Sequence, residues 1–327
     1  MNDKTECYRR SALRAVQFQL NGQQPDGSFA WEGYPRNAYH KQACSWTMAG
    51  HIEPAHRLLT WVKMHTLSPD GQLQDYDGDV RKHCWLFRGA HQLDRFDVSW
   101  PVMSFLLSCQ LPLGGFPRRA SENRIVSSAT AQMGLSALHF GRQDVAEAAA
   151  ACVLRILESQ PDDSRFYFQM TAEGKLVTRE TDAKAPCLDA AVARQNYSEI
   201  GLPLQLMCRL YQATANKQYL EFAAVFFELT VRRFPDAFGC IGADTCALGA
   251  ALYYLLAGDR RAQQAACRFA DFLVATQHPQ GGWRDPGEPD IPLSYVDHAA
   301  ESSVFLFELA ALLPSAEIVW LTKHPAI

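Results

Sequence analysis

Apolar residues recur at three- and four-residue spacing, with polar residues between them, in six stretches: RSALRAVQFQL, HRLLTWVKMHT, PVMSFLLSCQ, AAACVLRILES, YLEFAAVFFELTVRRF and ACRFADFLVATQ. That period predicts amphipathic helices with one buried face. Six other stretches alternate with them: KQACSWTMAG, KHCWLFRGAH, IVSSATAQMGLSALHF, YSEIGLPLQLMCRLYQ, DTCALGAALYYLLAG and DHAAESSVFLFELAALL. These are rich in Ala, Gly and Ser and apolar nearly all round, as helices buried on every side are. Strand patterns are scarce. The chain thus predicts an all-α fold of twelve helices, alternately outer and inner.

A short motif follows each outer stretch. QHPQGGW at Gln277–Trp283 matches QLPLGGF at Gln110–Phe116 and QQPDGSF at Gln23–Phe29. Each has Gln, three residues, Gly, one residue, then an aromatic. Weaker copies occupy Leu67–Leu73, Gln160–Phe166 and Arg232–Phe238. The copies end at residues 29, 73, 116, 166, 238 and 283, a period close to 44 except for one long interval. That interval holds a polar insertion at about 167–195. Six copies at one period indicate a repeat architecture, here an (α/α)6 toroid formed by residues 1–327 as a single domain. The glycines are expected to end the outer helices and let the chain turn.

The motifs resemble the QW-type repeats of the terpenoid-cyclase and protein-prenyltransferase β-subunit superfamily. The resemblance covers most of the chain and implies a toroid with its active site in a central cavity. It says little about the reaction, because function resides in the site.

The loops leading into the inner helices are where chemistry is expected. The first carries Trp31, Tyr34, Tyr39 and His40, the second Asp75, Tyr76, Asp77, Asp79, His83 and Trp85. Asn123 and Arg124 precede the third, and Asn196, Tyr197 and Glu199 the fourth. The last two supply Asp244 and Cys246, then Tyr295, Asp297, His298 and Glu301. Asp77, Asp79, Asp244, Asp297, His298 and His40 are the candidates for proton transfer. Trp31, Tyr39, Asp75, Trp85, Arg124, Asn196, Tyr197, Cys246, Tyr295 and Glu301 are the candidates for substrate contact. Three alternating carboxylates at Asp75, Asp77 and Asp79 repel one another, which favours a protonated acid. Class II terpene cyclases use an Asp-rich acid motif with two adjacent aspartates at its end; here Gly78 intervenes. A calcium loop starting at Asp75 would need a glutamate twelfth in line, where Leu86 stands. Asp297 and Glu301 share a helical face at i,i+4, and His298 titrates nearest neutrality. A toroid joins its ends, so His40 and His298 are expected on adjacent helices.

No cofactor is required by this reading. The prenyltransferase β-subunits do bind zinc through an Asp-x-Cys pair and a later His, and Asp244, Cys246 and His298 repeat that pattern, so an open zinc site is an alternative. No Walker A, GxGxxG, GxSxG or HExxH motif is present.

Bulk properties narrow the classes. The net charge of −4 points to neither nucleic acid nor a membrane surface. No apolar run approaches ~18 residues, so no membrane span is expected. MNDKTECYRR lacks the apolar core of a signal peptide, so a cytoplasmic location is expected. The ten cysteines are scattered without a CxxC and are expected as buried free thiols. The oligomeric state is not set by the sequence. A length of 327 is too short for a two-domain triterpene cyclase. The expected protein is a cyclase or isomerase acting by acid–base catalysis on a small terpenoid-like or other natural-product intermediate. The alternatives are a carbohydrate-active toroid (sugar epimerase, glycoside hydrolase or lyase), a zinc-dependent prenyltransferase-like enzyme, and a non-catalytic binding toroid.

Overall fold

The chain's periodicity becomes helix almost wherever it was strong. The computed structural model describes residues 2–30, 39–74, 76–162, 164–284, 288 and 290–323. Among these are twelve helices: α1 (Asn2–Leu20), α2 (Gln42–Met48), α3 (Ile52–His65), α4 (Val80–Gln92), α5 (Phe96–Ser108), α6 (Ser127–His139), α7 (Gln143–Glu158), α8 (Ser198–Thr214), α9 (Lys217–Arg233), α10 (Asp244–Ala257), α11 (Arg260–Thr276) and α12 (Pro292–Lys323). No described helix is long and apolar enough to cross a membrane. All ten cysteines are free; seven are buried, and Cys7, Cys187 and Cys267 are half-buried.

Two units divide the contacts, and each has its own logic. One is built mainly on Gln110–Phe272. In it α8 packs on α6, α9 and α10. Ser127 to Ala137 of α6, Ser198 to Leu210 of α8 and Asp244 to Leu252 of α10 are buried almost without a break. Helix α9 buries only Ala223, Phe226, Phe227 and Thr230, one stripe at three- and four-residue spacing. Pro203 sits inside α8 and cannot donate to the carbonyl of Glu199. The Ser127 hydroxyl takes that bond instead, at 2.8 Å. The Glu199 carboxylate accepts from the Ser128 amide and hydroxyl, tying α8 to the start of α6.

The polar insertion lies in this unit and is not structureless. Strand β1 (Arg124–Val126) pairs antiparallel with β3 (Gln169–Thr171), and β2 (Arg165–Tyr167) with β4 (Cys187–Asp189). Tyr167, Val177 and Ala185, flanked by Leu176 and Cys187, form a small core of their own. The expected third inner helix was to include Ile125 and Val126. Both are β-branched, a preference that suits a strand, and the helix begins after them.

The other unit joins Asn2–Cys109 to Leu273–Ala310. Here α4 packs against α2 and α5, and α3 against α2. The motif turns explain its order. Gly71 and Gly281 have φ of 86° and 110°, where glycine alone is unstrained. Each also lies flat against a neighbouring backbone. A Cβ on Gly281 would stand 2.4 Å from the carbonyl oxygen of Arg14 in α1, and one on Gly71 2.0 Å from that of Pro101 in α5. Gly27 makes the same approach to the Arg57 carbonyl of α3, and Gly114 lies against α7 through the Ala148 methyl, 2.7 Å from where its Cβ would stand. The motif is therefore more than a helix stop: its glycine is the seat for the next odd-numbered helix. Gln277 completes the clasp. Its Nε2 donates to the carbonyls of Gly281 (2.7 Å) and Ser11 (2.8 Å), and its Oε1 accepts from the Ser11 hydroxyl. The Trp283 indole donates to the Leu273 carbonyl at 2.9 Å. The turn after α11 is thereby fixed onto α1, 266 positions away in sequence.

Candidate functional site

The densest cluster of charge is in the second unit, where the start of α2 meets the start of α12. Lys41 is buried at 6% exposure. Its ammonium donates to Asp297 Oδ2 at 2.9 Å and, more closely, to Glu301 Oε2. Asp297 and Glu301 are one helical turn apart on α12, so both reach one cation. Burial opposes the charge of Lys41, but the two carboxylates outweigh it and raise its pKa above the ordinary value. Burial likewise opposes ionisation of Glu301, and the Lys41 ammonium overrides it, holding the carboxyl below its usual range. His298 completes the cluster: its ring and the two carboxylates offer ligand atoms within 4.8 Å of one another. Those three residues could hold a metal, but Lys41 already bonds two of them and fills the cation's place.

His40 lies behind this cluster, 1% exposed. Its Nε2 is 3.7 Å from Asp297 Oδ1, too long for a hydrogen bond. The Tyr76 ring meets it edge-on at 5.7 Å. Burial, with Lys41 and Lys82 nearby, pushes its pKa well down, so the imidazole is neutral. Its Nδ1 and the Asp297 Oδ1 have no hydrogen-bond partner among the described residues. Trp85 is buried beneath, with Lys41 Nζ 6.0 Å and the Arg88 guanidinium 5.8 Å from its ring centre.

Other candidates fall elsewhere. Trp31, Tyr34 and Asp75 lie outside the described residues. Asp79 is the N-cap of α4 and accepts from the Lys82 amide at 3.1 Å. Asp77 stands in a left-handed turn (φ 50°) beside an open groove of about 470 Å³ lined by Ser68, Asp70, Gln72 and Gln74. His83 receives the Leu73 amide on Nε2 (2.8 Å), so its Nδ1 carries the proton and donates to the Asp79 carbonyl. That ring is a fastening of the turn. Replacing Asp79 tests the division of roles. Asp79→Ala is expected to lower stability by about 1 kcal/mol and Asp79→Asn by a few tenths, as capping predicts; a thermal melt of both reads it, and an equal loss in the two would contradict the capping role.

Tyr39 stacks on Trp61 (4.3 Å, 13°) and accepts from the Phe29 amide, which ties it to the first motif copy. Tyr295 donates to Asp290, accepts from Arg284 and packs edge-on to Phe18, so it secures the last motif turn. In the first unit, Arg124 pairs with Asp182 at 3.1 Å, and Asn196 accepts from the Ser198 amide at the start of α8. Tyr197 is fully buried with its hydroxyl donated to Asp236 at 2.7 Å. Asp244 accepts from the Thr245 amide, and Cys246 is fully buried with its thiol on the Tyr197 carbonyl. Burial, then Asp244, pushes that thiol well up. His298 belongs to the other unit.

Two groups in the second unit were not foreseen: Lys41, and the ion pair of Arg88 with Glu308 at 2.6 Å. A signal for them existed. Arg81, Trp85 and Arg88 share one stripe of α4, and Asp297, Glu301 and Glu308 share one of α12.

No protein-family model matches the chain, and no curated protein matches it in sequence. Solved structures do match over nearly the whole length. A type II terpene cyclase from Scytonema, in complex with geranylgeranyl dihydroxybenzoate, is 13% identical with a TM-score of 0.61, over 96% of this chain and 100% of that one. An α-1,6-mannanase from Salegentibacter is 13% identical with a TM-score of 0.64, over 94% and 99%. A D-mannose isomerase is 12% identical with a TM-score of 0.66, over 92% and 96%. The chain has an (α/α)6 toroid fold. The alternation of amphipathic and buried helices is the alternation of that toroid. These toroids are enzymes of different chemistries, so the fold leaves the reaction to the site.

Proposed function

We propose that this toroid is an isomerase of the carbohydrate-active kind, moving a proton on a small hydroxyl-bearing substrate at the Lys41–Asp297–His298–Glu301 cluster. The observation that carries this reading is the ammonium shared between Asp297 and Glu301. Covering these charges with a hydrocarbon chain would desolvate them without return, whereas sugar hydroxyls replace water as hydrogen-bond partners. Glu301 is held ionised and so accepts hydroxyls; it does not serve as a Brønsted acid. His298, half-buried beside both carboxylates, is the base placed to take a proton from carbon next to a carbonyl. Lys41 stays cationic and stabilises the negative charge that develops on the carbonyl oxygen. The likeness to a D-mannose isomerase over 92% of this chain supports the same reading.

The test is proton exchange in deuterium oxide, followed by NMR on a panel of aldoses and ketoses. Deuterium is expected at the carbon next to the carbonyl together with the isomeric sugar. His298→Ala is expected to slow this by about 10²–10⁴-fold. Absence of exchange on every sugar would overturn the proposal. The second reading, cyclisation of a terpenoid-like substrate, draws on the full-length likeness to the terpene cyclase and on Asp77 beside its open groove. Conversion of a polyprenyl substrate in place of sugars would establish it.

A further inference from the structure

The unit built on Gln110–Phe272 carries an open groove of about 240 Å³, lined by Val231, Pro235, Arg261, Gln264, Ala265 and Arg268. One wall is a single helical face, because positions 261, 264, 265 and 268 recur at three and four residues along α11. Val231 near the end of α9, and Pro235 in the turn after it, supply the other. The three polar side chains, Arg261, Gln264 and Arg268, are exposed, so a solute in the groove meets them directly.

The two arginines are held differently. Arg261 is gripped by carboxylates: its Nε and Nη2 donate to Asp259, and Nη2 also donates to Glu228. Glu228 is itself shared with Arg232. Arg268 has no carboxylate partner among the described residues. Its Nη2 donates to the Pro235 carbonyl at 2.9 Å, and its guanidinium carbon stands 5.5 Å from the centre of the Phe238 ring. A carbonyl and a ring face steady a guanidinium without bringing a counter-charge. Nε and Nη1 of Arg268 and the side-chain amide of Gln264 make no hydrogen bond among the described residues. A positioned cation with donors to spare, one helical turn from an amide donor, suits an oxyanion, and arginine takes phosphate through parallel N–H bonds. The volume lies below the roughly 300 Å³ at which pockets for drug-sized ligands begin, so the occupant is small.

We propose that this groove is a phosphate-binding site, filled by inorganic phosphate or by the phosphate group of a small monoester. Arg268 supplies the charge and the forked donors, Gln264 an amide donor, and Arg261 a second positive charge nearby. The inference is independent of the chemistry assigned to the Lys41 cluster. The experiment is calorimetric titration of the whole protein with inorganic phosphate and with glycerol 3-phosphate, against sodium chloride at equal ionic strength. Saturable binding of at least one phosphate, and none of chloride, is expected. Arg268→Gln and, separately, Gln264→Glu are expected to weaken it tenfold or more, with each fold checked by a thermal melt. Arg142→Gln, which removes an exposed arginine paired with Asp144 in the same unit, is expected to leave the affinity within twofold. A tenfold preference for the ester would identify a phosphorylated small molecule as the occupant, and equal binding would identify inorganic phosphate; either supports the site. No saturable binding beyond chloride, or full affinity in both folded groove variants, would overturn the proposal.

Discussion

Lys41→Met is expected to destabilise the protein by about 3–5 kcal/mol at neutral pH, the effect of leaving buried carboxylates without their cation. The pH dependence is the sharper observation. In the unmodified protein Glu301 has a folded pKa below its ordinary value of 4.5. Its contribution is complete above that value and is lost as pH falls through the lower folded pKa. Lys41 has the opposite sign: raised in the fold, its contribution is complete below its ordinary pKa and is lost only at strongly alkaline pH. Without the ammonium, burial and the neighbouring Asp297 carboxylate raise the pKa of Glu301, opposed only by Arg81. The variant should then regain stability as pH falls from 7 toward 5, a range in which the Lys41–Glu301 pair holds steady. Urea unfolding at several pH values between 4 and 8 measures this. A variant that tracks the unmodified protein at a constant offset would show that the ion pair does not govern Glu301.

Gly281→Ala is expected to lower stability by about 2–4 kcal/mol, combining a left-handed backbone with a Cβ driven into the Arg14 carbonyl. Gly141→Ala is the control. That residue has a φ of 79° and open space where its Cβ would stand, so about 1 kcal/mol is expected. The difference isolates the seat that the glycine provides for α1. Equal losses in denaturant unfolding would mean that backbone conformation alone matters and that the close approach is relaxed.

The comparison between chain and structure is instructive in its particulars. The outer helices were legible because burial of one face imposes the 3.6-residue period, the inner ones because burial on every side leaves runs of Ala, Gly, Ser and apolar residues, and the motif marked the limits between them. The three-residue strands of the insertion were not, since so short a segment cannot display an alternation. In the site, Asp297, His298, Glu301 and His40 could be singled out as polar groups preceding or opening buried helices. Lys41 escaped because a lysine at a helix start is an ordinary surface residue; only contact with the far end of the chain buries it. Arg88 and Glu308 escaped because each is one charge in an apolar run, meaningful only when the two stripes are laid together. Asp79 and Asn196 share the opposite lesson: polar groups at helix starts also have backbone to satisfy.

The clasp of Gln277 and Gly281 on α1 has a consequence for how the protein is made. The unit that carries the candidate site is assembled from Asn2–Cys109 and Leu273–Ala310. At translation rates of about 5–20 residues per second, the first part waits on the order of ten seconds for the second to emerge. During that wait the Gln277–Ser11 and Lys41–Glu301 contacts cannot form. A nascent chain halted before residue 273 should therefore be protease-sensitive throughout α1–α5, while Gln110–Phe272 can already be folding.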